Sequence, residues 1–124
     1  MKKLCLAWSG VVGAMDATTG VLLVCCPAWV LGAIGVESMS EEAMVFLRWI
    51  GVFVGAVGMS YAFAFRGDGP AVWRFTALVR MLVAAFVTTN IVSGSLSPAW
   101  AGVAVTDGVV AVVQIVGLAR RWWS

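Results

Sequence analysis

Four polar side chains stand alone in long apolar runs, and all are of types that either do chemistry or must be neutralised. Asp16 lies in GAMDATTGVLL, Arg80 in ALVRMLVAAF, and Asp107 and Gln114 in TDGVVAVVQIVG. A charge at the centre of a membrane-spanning helix costs about 2.5 kcal/mol or more, so such groups face the inside of a bundle and find partners there. Two acids and one base allow two kinds of arrangement. In one, Asp16, Arg80 and Asp107 form a buried clasp that fixes helix register, with Gln114 and the threonines satisfying the remaining hydrogen bonds. In the other they line a ligand pocket or a proton path, and the excess acid suits a proton-coupled site or a quinone-like head group.

Both readings depend on the helices that carry these groups. The chain of 124 residues is 62% hydrophobic and 11% charged, with a mean hydropathy of +1.01, whereas about 25% of residues are charged in soluble domains. A span needs about 20 apolar residues, which leaves room for four spans and no second domain. The apolar runs place them at 5–26, 44–65, 72–93 and 99–119. Pro27, then RGDGP from Arg66 to Pro70, then SGSLSP from Ser93 to Pro98 punctuate the chain. The expectation is an all-α, integral-membrane four-helix bundle over residues 1–124, made of two helical hairpins joined by a longer link. That link, Pro27 to Ala43, has an apolar half that reads as a helix extension or a short surface-lying segment. Its acidic half opens span 2, with Ser40 as N-cap ahead of Glu41 and Glu42.

Charge gives the orientation. Lys2, Lys3, Arg66, Arg74, Arg120 and Arg121 fall on one side, which the positive-inside rule makes cytoplasmic, together with both termini. Glu37, Glu41 and Glu42 fall on the other side. The tryptophans are expected in interfacial belts, with Trp8, Trp73, Trp122 and Trp123 at the inner edge and Trp29, Trp49 and Trp100 at the outer.

Helical spacing then sorts faces. Ser9, Gly13, Asp16, Thr19 and Gly20 share one face of span 1; Thr76, Ala77, Arg80, Ala84 and Thr88 share one of span 3; Ala104, Asp107, Ala111 and Gln114 share one of span 4. In span 2, Arg48, Gly51, Gly55, Gly58 and Ala62 alternate in steps of three and four, and Gly51 with Gly55 forms a G-x-x-x-G pair for close helix packing. By the helical rise, Asp16 and Asp107 lie roughly 17 to 18 Å from the cytoplasmic edge and Arg80 roughly 12 Å. The long Arg80 stem reaches inward to both acids or sinks to the interface; inward pairing is expected. Arg48, about 6 Å below the outer edge by the same count, is expected at the surface or beside Glu41 and Glu42.

Several function classes fall away. With no His and no C-x-x-C, haem or zinc sites of the usual sets are not expected, and Cys5, Cys25 and Cys26 read as small apolar fillers. Neither a phosphate-binding glycine loop nor a nucleophile with its base is recognisable. The few basic residues serve orientation, so no nucleic-acid partner is expected. MKKLCLAW has the basic start of a signal peptide, but Asp16 would interrupt its apolar region and no small-x-small cleavage site follows.

PAWVLGAIGV, LRWIGVFVGAVGMSYAFAF with Arg48, Gly51 and Gly58, ALVRMLVAAF with Arg80, and TDGVVAVVQIVGLARR with Asp107 follow one another in the chain. In this order they resemble the features of DoxX-like proteins and related small four-helix bacterial membrane proteins. The resemblance implies a four-helix bundle in the bacterial inner membrane, with Arg48, Gly51, Gly58 and Arg80 as its carried-over positions. In the family's founding case it implies a small subunit associated with a thiosulfate:quinone oxidoreductase. The expected function is accordingly that of a non-catalytic accessory or scaffold subunit of a larger, redox-linked membrane complex or of a homo-oligomer, embedded in the lipid bilayer. The other expectation is a site for a quinone-like ligand or a proton-coupled small molecule, built on Asp16, Arg80, Asp107 and Gln114.

Overall fold

The computed structural model describes residues 1–37 and 39–124, and every regular element among them is helical. Helix α1 (Lys2–Cys25) ends where Cys26 leaves the helical conformation, at φ −143 and ψ 61, and Pro27 follows, since proline cannot donate to the preceding turn. Pro27 instead opens α2 (Pro27–Ile34), where a missing N–H costs nothing. Gly35, at φ +81, stops α2 in the left-handed conformation, and Val36 N–H donates to Leu31 O at 2.8 Å. Helix α3 (Glu41–Ser60) starts as expected: Ser40 Oγ accepts from Ala43 N–H at 3.2 Å, and Glu41 and Glu42 lie in the first turn. It tightens into a 3₁₀ segment, Tyr61–Arg66, closed by Gly67 at φ +98. Helices α4 (Gly69–Val92) and α5 (Ala101–Ala119) follow, the latter entered through a short 3₁₀ turn, Pro98–Trp100.

Four of these stretches, Lys2–Cys25, Glu41–Arg66, Gly69–Val92 and Pro98–Ala119, are long and apolar enough to cross a membrane. The chain folds as a multi-pass helical bundle, with span boundaries within a few residues of those read from the sequence. Both termini lie at one end: Met1, Leu4 and Trp122 line one groove, and Trp123 lies against Gly69 at the start of α4.

The hairpins pair α1 with α3 and α4 with α5. The long link therefore lies inside the first hairpin instead of joining the two, and the tight turn at Gly67 and Asp68 makes that connection. Along the α1/α3 seam the backbones touch. A Cβ placed on Gly20 would lie 2.6 Å from Gly55 Cα, one on Gly51 2.7 Å from Leu23 Cβ, and one on Gly58 2.5 Å from Ala17 N. Gly13, opposite, is equally tight, with Tyr61 Cβ at 2.8 Å. Gly55 differs from its neighbours, because a Cβ there would first meet Gly20 Cα at an ordinary 3.8 Å. The expected stripe on span 2 is thus narrower than its spacing: Arg48 and Ala62, at its two ends, are exposed.

Two apolar cores result. One, at the terminal end, gathers Cys5, Val12, Tyr61, Val72, Trp73 and Val110. The other gathers Leu23, Leu31 and Leu47 at the far end, with Trp100 packed against it, so α2 folds back over the bundle through Leu31. Trp73 corrects the belt expectation. It is 1% exposed and stands edge-on to Trp123, 5.2 Å between ring centroids. Trp29 and Trp49 remain exposed, as belt residues do.

The seam geometry sets a contrast between glycines. Gly58→Ala and Gly20→Ala should each destabilise the bundle by about 1–3 kcal/mol, the usual cost of overpacking, while Gly55→Ala should be near neutral. Unfolding in mixed micelles with increasing dodecyl sulfate, followed by circular dichroism, measures the difference.

Candidate functional site

Arg80 is at the centre of the site. It sits on the α4 face that also buries Thr76 and Ala77, and its guanidinium faces α1 and α5 instead of following the stem to the interface. Nη1 donates to Asp107 Oδ1 at 2.6 Å, and Nη2 donates to Asp16 Oδ2 in a second, shorter contact. The side chains of Arg80, Asp16 and Asp107 are 4%, 10% and 17% exposed. Among the described residues these are the only ion pairs, and both belong to Arg80. The inward pairing expected from the two faces and the matched heights is the one found.

A neutral layer lies directly beneath. Arg80 Nε donates to Tyr61 Oη at 3.2 Å, and Tyr61 Oη donates to Gln114 Oε1 at 2.6 Å. The Gln114 amide nitrogen in turn donates to Thr76 Oγ1 at 2.9 Å and to Trp73 O at 3.2 Å. Trp8 Nε1 reaches the same Gln114 oxygen at a long 3.4 Å, and Trp73 Nε1 donates to Ser9 Oγ at 2.9 Å. Ser9 and Thr76 hydroxyls donate back to Cys5 O and Val72 O on their own helices. Each such bond is worth about 1 kcal/mol net, but an unpaired buried donor costs more, so the layer is held together by its completeness. Gln114, Thr76 and Ser9 are all fully buried.

The candidates read from the sequence sort cleanly against this geometry. Asp16, Arg80 and Asp107 come together, and Gln114 joins them through Tyr61 instead of by direct contact. Arg48 is exposed and, among the described residues, forms no ion pair with Glu41 or Glu42. Of the threonines expected to assist, only Thr76 does. Thr19 is exposed and bonds Met15 O on its own helix, and Thr88 is exposed as well. Tyr61 and the Trp73–Ser9 bond are additions. A signal for Tyr61 existed: it is the one tyrosine in the chain, three residues after Gly58 on the packed face, and a phenol buried there needs a partner.

Chemically, the site combines two carboxylates with a single guanidinium, a formal charge of −1. Arg80 is spent on three acceptors, whereas each carboxylate uses one oxygen. Asp16 Oδ1 and Asp107 Oδ2 take no hydrogen bond from the described residues, and neither is sealed from the surface. Among the described residues no group of three or more His, Cys, Asp or Glu is placed to hold a metal ion. No family model, curated protein or solved structure matches the chain.

Breaking a buried ion pair from one side strands the other charge, at about 3–5 kcal/mol, whereas replacing the whole set is often close to neutral. Arg80→Gln alone should therefore destabilise the bundle more than the triple variant Asp16→Asn, Arg80→Gln, Asp107→Asn. The same micelle unfolding assay reads both. Tyr61→Phe, which leaves Arg80 Nε and Gln114 short of a partner, should fall between the triple variant and Arg80→Gln.

Proposed function

We propose that this protein is a non-catalytic accessory or scaffold subunit of a larger membrane assembly, and that the Asp16–Arg80–Asp107 network is the clasp that holds its two hairpins in register. The observation that carries this reading is that one side chain, Arg80, bonds to the other three spans at once. Its partners lie on α1, at the head of the 3₁₀ segment after α3, and on α5. Supporting it, most hydrogen bonds of the polar layer below run from one helix to another. The order of features that resembles DoxX-like proteins adds a bacterial inner-membrane setting and a redox-linked assembly as the partner, and we place both termini on the cytoplasmic side. The basic residues at the terminal end agree with that orientation.

The test is purification in mild detergent from the native membrane, followed by mass spectrometry of everything that accompanies the protein. A stoichiometric larger protein partner is expected, retained by the Asp16→Asn and Asp107→Asn variants, which keep shape and hydrogen bonding. A protein that emerges alone or as a homo-oligomer carrying a quinone would contradict the accessory role and favour a ligand site at the same residues.

A further inference from the structure

At the terminal end the two hairpins leave a gap between α1 and α5. Backbones approach within the pairs α1/α3 and α4/α5, whereas α1 and α5 are bridged there by large side chains. The result is a groove of about 390 Å³, formed by Leu4, Trp8 and Val11 of α1, by Val113 and Trp122, and by the buried Trp73. Ligand sites span about 300–1,000 Å³. Trp8 is tethered across the gap by its long bond to Gln114 on α5. The groove's lower end is made by a turn that a non-glycine residue rarely takes. Arg121 stands at φ +56, in the left-handed position where a helix usually places glycine. Trp122 N–H then donates back to Gly117 O at 2.9 Å, and its ring folds over Gly117 to become part of the groove lining.

We propose that this groove binds one anionic phospholipid of the leaflet at the terminal end, with an acyl chain against the tryptophans and the phosphate on the basic rim. Charge selects the headgroup. Lys3 lies one turn below Ala7, and Arg120 two turns along from Val113, so each helix carries a cation on the face that lines the groove. Lys2 and Arg121 flank them. All four are exposed, and among the described residues none is engaged in an ion pair. Asp68, on the turn between α3 and α4, is the one acidic side chain at this end. A basic cluster between spans at the membrane surface attracts anionic headgroups. Depth selects the chain: Leu4 and Val11 are separated by a rise of about 10 Å, which fits within one leaflet of a core about 30 Å thick. The lining stops at Val11 and at Val113, beside Gln114, so a partner helix crossing the whole membrane would find no continuation. A soluble phosphate compound would occupy the rim and leave the apolar groove unfilled.

This site goes beyond the accessory role and does not depend on it. The experiment is native mass spectrometry of the delipidated full chain in detergent, titrated with an equimolar mixture of phosphatidylglycerol and phosphatidylcholine whose acyl chains match in length and differ in isotope label. One phosphatidylglycerol bound ahead of any phosphatidylcholine is expected. Lys3→Gln combined with Arg120→Gln should cut that preference roughly tenfold or more, as the loss of two surface cations implies. Arg66→Gln combined with Arg74→Gln removes the same charge from the same end, outside the groove lining, and should leave the preference nearly unchanged. Ala7→Phe, which fills the groove from an exposed position, should weaken the binding of both lipids with no loss of thermal stability. Equal binding of the two lipids, the same loss or none from the two charge pairs, or binding unchanged by Ala7→Phe would overturn the proposal and leave the clasp itself untouched.

Discussion

A guanidinium held within the apolar layer must be neutralised where it stands, and most of this bundle is arranged around that requirement. Arg80 sits in the middle of α4, 3% exposed. Arginine suits the position because it never loses its charge and spreads its donors in a planar fork. Lysine would offer one point charge to partners that approach from different directions. Three spans supply the acceptors, so the register of each hairpin against the other is set by one side chain. Sliding α1 or α5 by a single residue would turn its aspartate about 100° away from Arg80.

The packing on either side serves this charge. Small residues on α1 and α3 let the two backbones approach until Gly20 faces Gly55 and Gly58 faces Ala17 N, which draws Asp16 towards the bundle centre. Bulk on the other side of the clasp does the complementary work. Trp73, Trp122 and Trp123 fill the terminal end, and glycines at 69 and 117 make the space for their rings. In a membrane, where lipid is as apolar as leucine, the hydrophobic effect does not drive helices together, so close backbone contact, ring packing and hydrogen bonds carry association. Tyr61 joins the two regions: its ring belongs to the terminal core, and its hydroxyl links the charged layer to Gln114.

Much of this was legible in the sequence, and the reasons it was are specific. Spans declare themselves by length and apolarity, and a carboxylate in such a span has few places to go. Matching faces and heights therefore sufficed to bring Asp16, Arg80 and Asp107 together. Side chains with both an apolar body and a polar tip were less legible. Trp73 was equally suited to a belt or a core, and what decided was the presence of Ser9 Oγ and the Trp123 ring nearby, both long-range in sequence. Threonine misled for a related reason, since its hydroxyl is satisfied by the carbonyl four residues back on the same helix, as Thr19 is by Met15. Nothing then forces it inward. The pairing of the hairpins also lay beyond the loop lengths, because the longest connection, with α2 folded over the end, closes the first pair.

The central claim is that the Arg80 guanidinium stays among the two carboxylates instead of snorkelling to the interface. Magic-angle-spinning NMR of the protein in lipid bilayers, with 15N-labelled arginine and 13C-labelled aspartate, tests it by dipolar dephasing between guanidinium nitrogens and carboxyl carbons. Strong dephasing at the Asp16 and Asp107 carboxyl carbons, lost in Arg80→Gln, is predicted. Dephasing no greater than in that variant would place Arg80 elsewhere and contradict the account.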